Sequence, residues 1–317
     1  MEVQAVSFQK SKRMSIVQLL TARHNSFDYI SGATAIKNEL VRVNEVSEAG
    51  RVNDLFVFNL SDKYVFFMDG DILMGAKQNR VLNTSVLLAP NSKSTLPVSC
   101  VEQGRWSKIS DSFIFTDNIS PQKIRALKSE AVKANLRSNN TYASDQMQVW
   151  DEVGKYQAAF SVNSPTMNLN ELYDREGGNF ESYIKDFTPD ENANGVAVFS
   201  DKELINLDVF NRTNIYREYF SKILKSSAIE VSQLKDSIHE LTEAEAISKT
   251  VLLFDTVGKA PFSEHPGVGA GNEKRYDNDE FTGFELGCDN AMIHLTVLSI
   301  ENGKNRKHGD YRKFGNH

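Results

Sequence analysis

Apolar residues in this chain recur in two rhythms, and the rhythm changes at Trp106. Before it come short β-prone runs separated by turn residues. The first covers 40–46, where Leu40, Val41, Val43 and Val46 alternate loosely with charge. Further runs cover 55–60, 64–68, 81–88 and 96–101. Ser61-Asp62-Lys63 between the second and third predicts a hairpin, and Asp69-Gly70 and Ala89-Pro90-Asn91-Ser92 mark further turns. Several strands joined by short turns predict an antiparallel sheet or sandwich rather than βαβ units.

After Trp106 the spacing becomes helical. Ser120-Pro121 reads as an N-cap with a first-turn proline, ahead of Ile124, Leu127, Ala131 and Ala134 on one face. A second helix is expected over 144–160, with Met147, Trp150 and Val153 together. Shorter helices are expected over 169–175 and 180–187, broken at Gly177-Gly178. Strands return over 196–199 and 204–209, helices over 215–225 and 242–254, and closing strands over 284–286 and 291–300. The expected fold class is α+β. Its antiparallel sheet or sandwich core lies in the N-terminal third, and helices from the middle and C-terminal parts pack around it. Residues 1–302 are expected to form a single domain, β-rich over 26–106, helical over 120–190 and mixed over 195–300. The polar, basic segment 303–317 is expected to fray.

Composition narrows the class without naming a function. The 317 residues are 40% hydrophobic and 25% charged, ordinary for a globular protein. A net charge of −6 argues against a nucleic-acid-binding body. No apolar run approaches the roughly 20 residues of a membrane span or forms a signal peptide, so a soluble, cytoplasmic protein without a membrane partner is expected. Cys100 and Cys288 are too few for a disulfide framework. The six histidines, at 24, 239, 265, 294, 308 and 317, show no zinc spacing, so no metal ligands are assigned. Cofactor and oligomeric state are left open.

Candidate chemistry concentrates between Asp69 and Trp106. Lys77, Gln78, Asn79 and Arg80 precede one apolar run; Glu102, Gln103, Arg105 and Trp106 follow another. Strands do not need so many hydrogen-bonding groups beside them, which points to a site for a small anionic ligand. Lys77 and Arg80 suit phosphate or carboxylate, Arg80 through a bidentate fork. Gln78 and Asn79 would fix orientation, and Arg105 and Trp106 would clamp and stack a planar group. Glu102 and Asp71 are the candidate acid or base. Each has a plainer reading: a solvated turn at 75–80, a buried Glu102–Arg105 or Glu102–Arg80 ion pair, a tight turn at Asp69-Gly70-Asp71. Cys100 reads as a small hydrophobe and His294 as a core histidine. The basic residues Lys123, Arg125, Lys128, Lys133 and Arg137 read as a solvated helix face. The glycine-rich loop from His265 to Gly271 reads as mobile, and only weakly as a phosphate cradle.

The strings GDILMGAKQNRVLNTSVLL (70–88) and PVSCVEQGRW (97–106) resemble those of a bacterial family, the ARG and rhodanese-phosphatase-superfamily-associated protein domain. The resemblance implies one domain over most of the chain. It also implies a link to ADP-ribosylglycohydrolase-type and phosphatase-type domains, and so to NAD-derived or ADP-ribose metabolism. Asp71 stands where the family pattern is expected to carry Glu, which shortens the carboxylate's reach. The expected function is binding of a phosphate-bearing nucleotide or NAD/ADP-ribose-derived metabolite, with hydrolysis or group transfer if there is chemistry. The alternative is a non-catalytic binding or scaffold module whose polar motifs form an internal network. An open pocket around the polar residues favours the first; burial with mutual hydrogen bonding favours the second.

Overall fold

The computed structural model describes residues 2–47, 53–234 and 240–300; the basic segment 303–317 and His239, His308 and His317 lie outside the described residues. The chain opens with β1 (Val3–Ser11), β2 (Met14–Thr21), β3 (Ile30–Ser31), α1 (Gly32–Lys37), β4 (Val41–Glu45) and β5 (Asp54–Asn59). Then come β6 (Val65–Phe67), β7 (Asp71–Gly75), β8 (Arg80–Leu82), β9 (Val86–Leu88), β10 (Ser92–Cys100) and β11 (Phe113–Ile119). Three helices follow: α2 (Gln122–Asn139), α3 (Gln146–Ala159) and α4 (Asn170–Ile184). β12 (Gly195–Ser200) and β13 (Glu203–Phe210) lead to α5 (Thr213–Ser232) and α6 (Glu243–Lys259). The last strands are β14 (Phe262–Pro266), β15 (Asn272–Tyr276), β16 (Phe281–Cys288) and β17 (Ala291–Ser299).

The fold is α+β with antiparallel sheets, as expected; among the described strand pairs only β3 with β6 is parallel. The strands are nevertheless spread along the chain. The largest sheet has the order β1-β2-β12-β13-β17-β16-β15-β14, so it joins the first two strands to the last six. Both of its faces are covered, which is why 196–199 reads as an unbroken apolar run. Val196 and Val198 face Ile215, Tyr216, Tyr219 and Ile223 of α5. Ala197 and Phe199 face Ala246, Phe254 and Val257 of α6.

A six-stranded sheet, β11-β7-β8-β10-β5-β4, curls so that its edge strands β11 and β4 approach one another. Val43, Leu55, Val57, Leu73, Leu82, Leu96, Val98 and Phe113 fill its inside. Its register decides where the polar motifs go. Cys100 lies opposite Arg80, Arg80 opposite Leu73, and Gly75 opposite Phe113, while Glu45 pairs with Leu55. Glu45 at the end of β4, the turn at 76–79 and the segment 101–112 therefore meet at one end of the sheet. Two polar clusters distant in sequence become neighbours.

Three local expectations fail. Pro121, not Ser120, is the N-cap of α2, and no side chain caps it, because Ser120 is turned into the core. β5 and β6 are not a hairpin: β5 pairs with β4 and β10, whereas β6 joins β3 and β9 in a separate three-stranded sheet. Ser61-Asp62-Lys63 is a crossing between sheets. α4 also runs straight through Gly177-Gly178. Each helical glycine costs about 1 kcal/mol against alanine, and burial of Leu172, Tyr173, Phe180 and Ile184 on the other face outweighs that.

Candidate functional site

At the rim of the curled sheet most polar groups are buried and spoken for. The backbone N–H groups of 76–79 have left the ladder, so the side chains must satisfy them. Ser110 Oγ takes the Ala76 N–H and Glu45 the Lys77 N–H, while Glu102, 4% exposed, accepts from the Asn79 N–H at 3.1 Å and Arg105 Nη2 at 2.6 Å through Oε2 and from Thr166 Oγ1 at 3.1 Å through Oε1. Arg105 Nη1 also donates to the carbonyls of Ala76 and Ser107, at 2.8 and 2.9 Å. Asn79 Oδ1 accepts from the Gly75 N–H and Arg105, and its amide donates to Asn168 Oδ1. Gln78 donates to the Glu102 carbonyl and accepts from Arg80 Nη1 at 3.0 Å. Charge-assisted bonds of this length hold the turn and the 101–112 segment together as one frame. Glu102 is tied on both oxygens, and the Glu102–Arg105 pair is the plainer reading made from sequence.

Arg80 is the exception. It is fully buried, yet Nε and Nη2 have no hydrogen-bond partner. The carboxylate oxygen Glu45 Oε1 is 4.0 Å from Nη2, beyond hydrogen-bonding range. Glu45 Oε2 is likewise buried and unpartnered, while Oε1 accepts from the Lys77 N–H at 3.3 Å. Burial pulls the Arg80 guanidinium below its ordinary pKa, partly offset by Cys100 and Glu45. Above it lies Trp106, 46% exposed, on a stretch without helix or strand. The Arg80 guanidinium and the Lys77 ammonium stand 5.7 and 5.4 Å from its ring centroid, within cation–π range.

Asp71 is elsewhere. It starts β7, at the end opposite Gly75, and Oδ2 accepts from the Met68 N–H at 2.8 Å and from Tyr219 Oη at 2.7 Å. Burial raises its pKa to about 6, with Lys222 and the Tyr219 hydrogen bond opposing. Asp71 and Glu102 are thus not brought together. Asp69-Gly70-Asp71 is the tight turn, with Gly70 at φ +86°.

Asp71 borders a buried polar core that the sequence reading missed. Arg125 binds Asp69 through Nε and Nη2 at 2.9 and 3.1 Å, and Asp208 through Nη2 and Nη1 at 2.7 and 3.1 Å. Nη2 also reaches Thr296 Oγ1 at 3.0 Å. Burial works against the Arg125 charge, but the two carboxylates more than compensate and raise its pKa; Arg125 in turn holds Asp208 well below the usual range despite burial. Lys128 donates to the Leu82 carbonyl, and burial draws its pKa down to about 7. The expected solvated basic face is therefore corrected at its centre: Arg125 and Lys128 are 1% and 0% exposed. One signal was available. They continue the buried stripe of Ser129, Val132 and Leu136 at helical spacing.

His294 is a core histidine packed on Phe66, Phe210 and Phe284. Ser85 Oγ is 2.9 Å from its Nδ1, and Nε2 is 3.4 Å from Asp208 Oδ1. The Ser-His-Asp order resembles a nucleophilic triad, but Ser85, His294 and Asp208 are all 0% exposed. Asp69, Asp208 and His294 could also group ligand atoms within 4.8 Å, but Arg125 already bridges the two carboxylates and balances their charge. A second buried pair, Glu273 with Arg275, ties Thr84 and Ser129 into the same layer. Asp69, Thr84 and Ser85, from the first family-like string and its edge, thus act as core.

Cys100 is buried, and burial raises its thiol pKa, which disfavours the thiolate. The glycine-rich loop is clasped: the Ala270 N–H donates to the Leu87 carbonyl at 2.7 Å, and Gly269 bridges to Leu87. Two surface grooves, of 590 and 350 Å³, lie along β15–β17 and the end of β2, lined by Arg23, Glu285, Asn290 and Met292 among others. Neither is lined by a residue of the rim.

Comparison with known families follows from these positions. The chain matches the ARG and Rhodanese-Phosphatase-superfamily-associated Protein domain over residues 2–298, and it belongs to that family. No curated protein and no solved structure matches. No helix among the described residues is long and apolar enough to cross a membrane.

Proposed function

We propose that this member of the family is a binding module for a phosphate-bearing nucleotide or ADP-ribose-type ligand, held at the rim of the curled sheet. By the burial criterion Gln78, Asn79, Glu102 and Arg105 follow the frame expectation, being mutually hydrogen-bonded and at most partly exposed, so the ligand expectation rests on Arg80, Lys77 and Trp106 alone. Gln78, Asn79, Glu102 and Arg105 hold the rim, and Trp106, Lys77 and Arg80 meet the ligand. Trp106 offers a half-exposed ring to a base. Lys77 and Arg80 supply positive charge within 6 Å of that ring. The observation that carries the reading is Arg80: a buried guanidinium with two unpartnered nitrogens, facing a Glu45 carboxylate with an oxygen that is also unpartnered, beside the hydrogen-bonded frame of Asn79, Glu102 and Arg105. Leaving such donors unmet costs about 1–3 kcal/mol or more, and a bound ligand is the partner we propose for them. Mouths of curled sheets are common ligand positions, and the family's association with ADP-ribose and phosphatase domains agrees in ligand class. We assign no proton transfer to Glu102, whose oxygens are occupied, nor to Asp71, which lies at the other end of β7.

Thermal shift and calorimetry with ADP-ribose, AMP, NAD and phosphate test the reading. Ligand at a hundredfold excess over Kd stabilises the fold by about 2.7 kcal/mol. Trp106→Ala should weaken binding about 5- to 100-fold, the range for one stacked base. No stabilisation by any of the four ligands would remove this function and leave the scaffold alternative.

A further inference from the structure

We infer that Arg80 and Glu45 form a subsite for a sugar hydroxyl of the ligand, not for its phosphate. This rests on the binding reading above and sharpens it. Every polar contact at the pair bears on the choice. Arg80 spends Nη1 on Gln78 Oε1 and keeps Nε and Nη2 as unmet donors. Glu45 spends Oε1 on the Lys77 N–H and keeps Oε2 as an unmet acceptor. The two side chains face each other with 4.0 Å between Nη2 and Oε1.

A phosphate oxygen could accept from Arg80, but it would leave Glu45 unmet and set two negative charges side by side. A lysine-like cation would satisfy Glu45 and be repelled by Arg80. A hydroxyl does both at once: its oxygen accepts from the guanidinium and its proton goes to the carboxylate. Two adjacent hydroxyls match two free guanidinium nitrogens and one carboxylate better still. A ribose ring next to a base stacked on Trp106 presents such a pair. The phosphate would then lie nearer Lys77, whose ammonium is 5.4 Å from the centroid of the same ring. Trp106 packs beside Arg80 from a segment without regular structure.

Isothermal titration of the full chain with AMP, ADP-ribose and 2′,3′-dideoxy-AMP tests this. AMP and ADP-ribose should bind, and dideoxy-AMP should bind roughly 10- to 100-fold more weakly, as expected for lost hydrogen bonds to charged groups. In Glu45→Gln the preference for AMP over dideoxy-AMP should shrink severalfold while Trp106→Ala still weakens both ligands. Equal affinity for AMP and dideoxy-AMP, with binding still lost in Trp106→Ala, overturns the hydroxyl subsite and leaves the rim site standing. Binding of none of the three overturns both.

Discussion

Removing the Arg125 side chain is the sharpest structural test. One guanidinium holds two carboxylates, Asp69 and Asp208, through four hydrogen bonds of 2.7–3.1 Å, and all three side chains are at most 3% exposed. Arg125→Met fills the space with apolar atoms but leaves two buried carboxylates without a counter-charge. Breaking a single buried pair costs about 3–5 kcal/mol, and the shared cation puts this variant at the upper end or beyond. That is a large share of the roughly 5–15 kcal/mol available to a folded protein. Arg125→Lys keeps the charge, loses the fork and should cost less, about 1–3 kcal/mol. Urea unfolding followed by far-UV circular dichroism measures both, and one transition is expected if residues 1–302 are a single domain. The pH dependence identifies the cause. In the native protein Asp208 sits below its ordinary pKa, so its contribution is present above about pH 4 and lost as pH falls. In Arg125→Met the orphaned carboxylates move above their ordinary pKa, so the deficit against the parent should shrink from pH 8 to pH 5. A loss below about 1 kcal/mol, or a deficit that ignores pH, would refute the buried-charge account.

Other positions give independent tests. Asp71, with a folded pKa of about 6 against an ordinary 3.8, keeps a proton that the unfolded chain has released. It therefore lowers stability as pH rises through that window. Asp71→Asn should gain on the parent between pH 4 and 7 by up to about 3 kcal/mol, and a flat difference in urea midpoints sinks the assignment. Glu102→Gln should cost about 1–3 kcal/mol in the same assay, because an amide cannot accept at all three of the Asn79, Arg105 and Thr166 contacts; an unchanged midpoint contradicts the frame. Gly269 has φ +88° and a Cβ there would lie 2.3 Å from the Leu87 carbonyl oxygen, so Gly269→Ala should destabilise by about 1–3 kcal/mol. Gly177, where a Cβ meets nothing within 4 Å, should instead gain about 0.5–1 kcal/mol on replacement by alanine.

The α+β class and the antiparallel sheets were legible because periodicity reports burial directly. The identity of strand partners was not. The run 55–60 looks like half of a hairpin with 64–68, yet its partners are β4 and β10; turn composition cannot distinguish a hairpin from a crossing between sheets. The neighbourhood of the two polar clusters was foreseen, and the Glu102–Arg105 pair was one of two ion pairs offered as the plainer reading beside an acid or base role for Glu102. Burial stood there only as the alternative, because the carbonyls of residues 76 and 107, the N–H of 79 and the hydroxyl of 166 that consume these groups cannot be placed from sequence. Arg125 and Lys128 misled most. Local sequence shows only a charged helix, while Asp69, Asp208 and the Leu82 carbonyl arrive from three other segments. The available signal was their place inside the helix's buried stripe with Ser129, Val132 and Leu136.

The claim that organises the site is that the rim at Trp106 and Arg80 takes a ligand. The most direct measurement is calorimetric titration of the full chain with ADP-ribose, in the parent and in Trp106→Ala. The account predicts saturable, one-to-one binding in the parent and about 5- to 100-fold weaker binding in the variant. Equal affinity in the two proteins, or no heat of binding in the parent, would contradict it.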